Sequence, residues 1–246
     1  MSGHSKWSTI KRKKAKEDAK KGKVFSRLAK ELSVTARSGG GDPDFNANLR
    51  LLIQNAKQAN MPADKIQAAI DRGTGAVEGI HYEEMTYEGY GPGGIAVILE
   101  LLSDNKNRTS AEIKSLFNKG GGNLGENGCV AWNFEKKGVI NLKVGDSDED
   151  AMLELALEVG GEDVVFEDGI VQMITAPEDL ASVCEAIRDK GIIVEDASLN
   201  LVPKNLAKVE GETVKRAIRF LEDLEDHEDV RNVYTNLDIP DEVAAE

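Results

Sequence analysis

The sequence predicts an α+β multidomain protein. An N-terminal three-helix domain with a basic arm is followed by two α/β domains, one of them ferredoxin-like. Three observations predict this. The chain has 246 residues, which suits two or three modules of about 60–120 residues each rather than one core. Apolar periodicity is helical up to residue 75 and alternates between strand and helix from about residue 80. The formal net charge of −13 is also split, at net +9 over residues 1–72 and net −22 over the remainder. A basic arm on an acidic body attracts polyanions at one end and repels them from the rest.

Most of the positive excess lies in residues 1–37, with 12 basic and 3 acidic side chains. Residues 1–23 carry too few apolar side chains to offset the entropy of ordering a free-standing core. They are expected to be mobile alone, or helical when docked. From Phe25 onward, Leu28, Ala29, Leu32 and Ala36 recur at helical spacing, and Gly39 to Gly41 end that helix. Asp42-Pro43 reads as the start of a second helix, with Asp42 as cap and Leu49, Leu52, Ile53 and Ala56 inward. Met61-Pro62 starts a third, with Ile66, Ala69 and Ile70 facing in and Gly73 as its stop.

Beyond residue 80, residues 82–88 and 94–102 read as strands, and 107–119 as a helix with Ile113, Leu116 and Phe117 inward. Residues 129–135 alternate, placing Val130, Trp132 and Phe134 on one face. Lys137-Gly138 reads as a turn into a strand over 139–144. Ser147 caps a helix that runs to residue 159. Asp168-Gly169, between apolar runs, is a hairpin signal. A helix over 177–190 buries Leu180, Val183, Cys184 and Ile187 and stops at Gly191; 193–202 alternates as a strand. Residues 138–202 thus follow the ferredoxin-like order βαββαβ. A helix over 213–225 and a short strand over 233–238 close the chain. The flanking elements form either a second unit interrupted by the first or consecutive domains; periodicity leaves both open.

Several patterns imitate chemistry. Residues 120–125 and 89–94 both satisfy G-x-G-x-x-G. A dinucleotide site needs that run between a strand and a helix N-terminus. The first follows a helix and the second lies between strands, so both read as loops. Asp146, Asp148 and Asp150 imitate a calcium loop, but Ala151 and Leu157 replace its required Gly and Glu. His4, His81 and His227 form no metal-ligand spacing with the two cysteines, Cys129 and Cys184. The expectation is a non-enzyme without metal or cofactor. The acidic run from Glu222 to Asp229 reads as solvated helix faces. No apolar run approaches the roughly 20 residues of a membrane span, and the N-terminal lysines lack the apolar stretch of an export signal. With two separated cysteines read as free thiols, a cytoplasmic location is expected. No extended coiled-coil seam argues for a dimer, so a monomer is expected.

The candidate site is the arm. Lys6, Lys11, Arg12, Lys13, Lys14, Lys16, Lys20, Lys21, Lys23 and Arg27 concentrate cations that can neutralise phosphates without sequence selectivity. His4 and Trp7 among them suit stacking on bases. Lys106 and Arg108, at the start of a predicted helix, are a secondary phosphate candidate. The expected partner is nucleic acid, either DNA or ribosomal RNA, with the ribosome as one setting.

The motif Ser2-Gly3-His4-Ser5-Lys6-Trp7, followed by Ile10-Lys11-Arg12-Lys13-Lys14, resembles the opening of the YebC/PmpR family. Gly40-Gly41-Asp42-Pro43, Ala59-Asn60-Met61-Pro62, Arg72-Gly73-Thr74-Gly75, Tyr87-Glu88-Gly89-Tyr90-Gly91-Pro92 and Gly121-Gly122-Asn123-Leu124-Gly125 resemble its later landmarks. These cover the first 130 residues densely and the remainder sparsely. The resemblance implies a basic arm over 1–23 and a helical domain over 24–78. It implies a discontinuous α/β domain over 79–136 plus 203–240, with a ferredoxin-like domain over 137–202 inserted into it. It also implies a cytoplasmic regulator of gene expression with no known reaction. Two roles come with it: a DNA-binding transcriptional regulator, or a ribosome-associated translation factor that aids elongation through stretches such as consecutive prolines. The latter resembles the mitochondrial translational activator of cytochrome c oxidase subunit I.

Overall fold

The computed structural model describes residues 21–77, 82–143, 149–167 and 170–240. Three helices come first: α1 (Lys21–Gly39), α2 (Ala47–Gln58) and α3 (Ala63–Thr74). Their apolar stripes meet in one core, with Leu32, Ala36, Leu49, Ala56, Ala69 and Ile70 buried and Phe25, Leu28 and Ile53 packed around it.

Two punctuation marks differ from the sequence expectation. Asp42-Pro43 does not begin α2. The Asp42 carboxylate accepts the Asp44 N–H at 2.9 Å and closes a turn instead. Asn46 is the N-cap, accepting from Leu49 N at 3.1 Å while its Nδ2 donates to the carbonyls of Thr35 and Gly40. One side chain thus ends α1 and starts α2. Gly73 does not stop α3 either; Gly75, at φ 77°, is the C-cap. Gly73 lies inside the helix, where a Cβ would sit 2.2 Å from the Ser33 carbonyl oxygen. It is there because α1 and α3 touch backbone to backbone.

The second unit is a four-stranded antiparallel sheet of β1 (Glu83–Tyr90), β2 (Ala96–Ser103), β3 (Asn123–Leu124) and β9 (Val230–Thr235), in the order β3-β1-β2-β9. Helices α4 (Lys106–Gly120) and α7 (Glu212–Glu225) contribute to its core. In α7, Val214, Ala217, Phe220, Leu221 and Leu224 are buried at helical spacing. Phe220 meets Phe117 of α4 edge to face, centroids 5.1 Å apart. The short parallel pair β8 (Ala207–Lys208) and β10 (Leu237–Asp238) lies beside this unit.

The third unit contains β4 (Phe134–Lys143), α5 (Glu149–Val159), β5 (Asp163–Glu167), β6 (Ile170–Thr175), α6 (Leu180–Asp189) and β7 (Ile193–Pro203). The sheet order β5-β6-β4-β7, antiparallel throughout, is ferredoxin-like. Val183, Cys184 and Ile187 of α6 and Met152 and Leu155 of α5 pack with Ile140, Leu142 and Met173. Asp168-Gly169 and Ser147 lie outside the described residues, as do Asp146 and Asp148, but β5 and β6 pair as a hairpin requires.

β1, β2 and β3 precede this unit and β9 follows it, yet they share one sheet. The third unit is therefore inserted into the second. Asn133 and Asn205 clasp the two crossings: Asn133 Nδ2 donates to the Asn205 carbonyl at 2.9 Å, and Asn133 Oδ1 accepts from Asn205 N at 3.0 Å. Lys204 N also donates to the Asn133 carbonyl at 2.7 Å.

The expected turn at Lys137-Gly138 is absent. β4 runs unbroken through it, paired with β7 from Phe134↔Pro203 to Lys143↔Ile193. Gly138 serves packing there, because a Cβ would fall 2.2 Å from Thr175 Oγ1. The expected strand over 129–135 is corrected as well. Residues Ala131–Asn133 form a single 3₁₀ turn, which buries Val130 and Phe134 but leaves Trp132 exposed.

Gly73→Ala is expected to destabilise the helical unit by about 1–3 kcal/mol, because neither backbone can yield cheaply. Urea denaturation followed by helical circular dichroism checks this; an unchanged midpoint contradicts the close approach.

Candidate nucleic-acid interface

His4, Lys6, Trp7, Lys11, Arg12, Lys13, Lys14, Lys16 and Lys20 lie outside the described residues. Lys21 and Lys23 occupy the first turn of α1, so the helix grows directly out of the basic segment. Arg27 is one turn further on, and its Nη2 donates to the Glu225 carbonyl at the end of α7, 3.2 Å away. Lys106 is exposed at the first position of α4. Arg108 turns inward: its Nη2 meets Asp104 Oδ1 at 2.9 Å and Asp229 Oδ2 at 3.0 Å. The structure thus brings Arg27 and Arg108 to one place, the joint between the helical unit and the body. Lys106 stays on the open surface.

Asp229 is the centre of that joint, and it corrects the reading of 222–229 as solvated. Its side chain is 1% exposed. Oδ1 accepts from Lys30 Nζ of α1 at 2.7 Å, and Oδ2 accepts from Thr109 Oγ1 at 2.7 Å as well as from Arg108. Lys30 Nζ also donates to the Glu228 carbonyl at 3.1 Å and lies over the Tyr82 ring. Burial by itself would raise the Asp229 carboxyl. The hydrogen bonds from Lys30, Thr109 and Arg108 outweigh it and hold the group well below the usual carboxylate range. Arg231 adds a looser pair to Glu31 of α1, at 3.5 Å.

A groove of about 720 Å³ opens beside this cluster. Lys30, Lys65 and Arg72 line it from the helical side, and Asp226, His227 and Glu228 from the body. The acidic edge of the body and the cations of α1 and α3 thus line one groove, with Lys30 in direct contact with that edge. A run of acidic residues gives no sequence signal for which member is buried. Asp229 is singled out only by tertiary contact with residues 120 and 199 positions away.

Among the described residues no cluster of three His, Cys, Asp or Glu is placed to hold a metal ion. No described helix is long and apolar enough to cross a membrane. Of the two G-x-G-x-x-G runs, 89–94 ends β1 and turns toward β2, and 120–125 ends α4 and passes through β3, so neither leads from a strand into an α-helix. Burial raises both the Cys129 and Cys184 thiols, which disfavours the thiolate at each.

Fold and charge together define a class: a charge-polarised, three-unit α+β protein whose helical unit docks through buried ion pairs on an acidic body. Residues 5–76 match the family description "TACO1/YebC protein N-terminal domain", and residues 82–237 match "TACO1/YebC second and third domain". The chain belongs to the TACO1/YebC family. It is 54% identical to a "Probable transcriptional regulatory protein" of Desulfatibacillum aliphaticivorans over the full length of both chains. It is 52% identical to a protein so named from Dictyoglomus turgidum, over 99% of this chain and 98% of that one. A solved structure from Aquifex aeolicus, described as a conserved hypothetical protein, is 42% identical and superposes with a TM-score of 0.86, covering 92% of this chain and 93% of the other.

Asp229→Asn leaves Lys30 and Arg108 without their shared counter-charge and is expected to cost about 3 kcal/mol or more. The folded carboxyl is depressed, so its contribution is complete above the unfolded value of about 4 and fades as pH falls through the lower folded value. The stability gap between wild type and variant, measured by urea titration, should be constant from about pH 5 to 8 and shrink below about pH 4. A gap that grows toward acid contradicts the assignment.

Proposed function

We propose that this protein regulates gene expression by binding nucleic acid, without catalysing a reaction, and that its N-terminal segment makes the phosphate contacts. The observation that carries this reading is the charge split, with 12 basic against 3 acidic side chains in residues 1–37 joined to a body of opposite sign. In this reading Lys6, Lys11, Arg12, Lys13, Lys14, Lys16, Lys20, Lys21 and Lys23 neutralise phosphates, and His4 and Trp7 stack on bases. Arg27 steers polyanions toward the arm while tying α1 to the body. Family membership supports regulation as the role.

The names of the relatives favour transcription and hence duplex DNA. The geometry favours RNA, and with it a ribosome-associated translation factor. Reading a major groove requires a helix that presents side chains to base edges. Lys30, Lys65 and Arg72, the cations of α1 and α3 in the groove, face the body's acidic edge. Lys30 and Arg108 are ion-paired there as well. The cations that remain for nucleic acid are then mainly those of residues 1–23, and a basic segment suits a crowded RNA channel while the acidic body stays outside. A cytoplasmic monomer suits either role.

Removing residues 2–23 should leave a folded body whose affinity for nucleic acid is strongly reduced. Full-length protein should lose about 1,000-fold or more in affinity between about 50 and 200 mM salt if six or more phosphates are neutralised. A flat salt response, or equal binding by the truncated chain, contradicts the reading. Offering ribosomes, ribosomal RNA fragments and duplex DNA in competition separates the two roles. Arm-dependent cosedimentation with ribosomes assigns translation, and retention on one promoter fragment over random duplex assigns transcription. Trp7→Ala should weaken binding without unfolding the helical unit.

A further inference from the structure

The body carries an aromatic pair that the fold does not use. Trp132 is 66% exposed and Tyr90 is 41% exposed, whereas Phe117 and Phe220 in the same unit are almost fully buried. The two exposed rings are fixed by a shared acceptor. Trp132 Nε1 and Tyr90 Oη each donate to the Cys129 carbonyl oxygen, both at 3.0 Å. The donor atoms therefore lie within twice that distance of each other. With both polar edges tied to the backbone, the ring faces are what a ligand meets.

The acceptor is itself held firmly. Glu88, only 6% exposed, accepts from the backbone N–H of Gly128 at 2.7 Å, Val130 at 3.0 Å and Ala131 at 2.8 Å. Burial by itself would raise that carboxyl, but the three N–H bonds outweigh it and keep it below its ordinary value, so the clasp stays charged. One buried side chain thus fastens the segment that carries Cys129 and Trp132 to the end of β1 that carries Tyr90. Presenting two large rings on a braced loop sacrifices apolar burial, which a fold has no internal reason to do.

Unpaired cations adjoin the rings. The loop after α4 lies flat on the end of β1, because a Cβ on Gly122 would fall 2.5 Å from the Tyr90 carbonyl oxygen. At the preceding residue, a Cβ on Gly121 would fall 2.9 Å from Arg216 Nη2. The Arg216 guanidinium of α7 therefore covers the loop beside Tyr90. Arg219 follows it on α7, and Lys119 ends α4; all three are exposed. Among the described residues none of the three has an ion-pair partner. This contrasts with Lys30 and Arg108 at the joint.

We propose that Tyr90 and Trp132, with Arg216 beside them, form a second nucleic-acid contact: a stacking platform for unpaired bases of a single strand. Aromatic faces take any base, and a neighbouring cation takes its phosphate. A duplex keeps its bases stacked inside and offers the platform nothing. This rests on the nucleic-acid reading above, but it concerns a surface more than 60 residues along the chain from the arm, so the two can be tested apart.

The chain has two tryptophans, Trp7 and Trp132, so Trp7→Phe leaves Trp132 as sole reporter. Full-length Trp7→Phe is titrated with fluorescently labelled oligo(U), oligo(dT), a duplex of matched length (each about ten nucleotides) and a proline-rich peptide. Binding is read from label anisotropy and platform contact from Trp132 emission. Oligo(U) or oligo(dT) is expected to quench Trp132 while the duplex does not, and stronger quenching by one assigns RNA or DNA. Trp132→Ala in the wild-type background should weaken single-strand binding by about tenfold, with Trp132→Phe retaining most of it. Binding that leaves Trp132 emission unchanged, with Trp132→Ala within about twofold of wild type, overturns the platform and leaves the arm reading intact. Absence of any oligonucleotide binding overturns both. Quenching by the peptide but not by the single strands overturns the platform in favour of a protein partner. The quenching measurement needs no change at the platform, so it stands whatever Trp132→Ala does to folding.

Discussion

A carboxylate taken out of water must be compensated, and at Asp229 compensation comes from both sides of a domain boundary. Lys30 reaches it from the helical unit, and Arg108 and Thr109 from α4 of the body. Neither unit can move away without leaving charge buried and unpaired, which costs several kcal/mol. The relative orientation of the two units follows from this one group more than from apolar contact, because each unit keeps its own core. A joint made of ion pairs is also directional.

Charge polarity then organises the rest. Lys30 of the helical unit is matched by Asp229 of the body's acidic edge, and the excess positive charge is concentrated in residues 1–37. The body's net negative charge works against non-specific adhesion to polyanions. In the body, Arg216, Arg219 and Lys119 are exposed without an ion-pair partner among the described residues, and Arg216 lies beside the loop that packs on Tyr90.

Much of the fold was legible because it rests on local periodicity. The 3.6-residue spacing of Phe25, Leu28, Leu32 and Ala36 and the βαββαβ order of 138–202 carried over directly. The misses share one cause: residues whose role is set by a distant neighbour. Gly73 and Gly138 look like punctuation, but each is small because another segment passes close by, Ser33 in one case and Thr175 in the other. Asp42 looked like a helix cap because a capping residue and a turn residue have the same chemistry; only the partner N–H tells them apart. Of the site, the basic segment was legible as composition. Asp229 was hidden in an acidic run. Trp132 was placed in the core by alternation with Val130 and Phe134, which fails because a single 3₁₀ turn rotates it outward.

The Asn133–Asn205 clasp bears on the autonomy of the parts. The chain leaves the second unit and returns to it at adjacent points, with Lys204 N bonded to the Asn133 carbonyl. Topologically the inserted unit is a stem with a head, and its host closes on itself at the base of the stem. The host sheet therefore does not depend on the head for its own register. A two-stranded stem also differs from a single tether mechanically: it bends across its flat face but resists rotation about its length. The exposed ring of Trp132 sits at the base of this stem, in the turn that Asn133 closes.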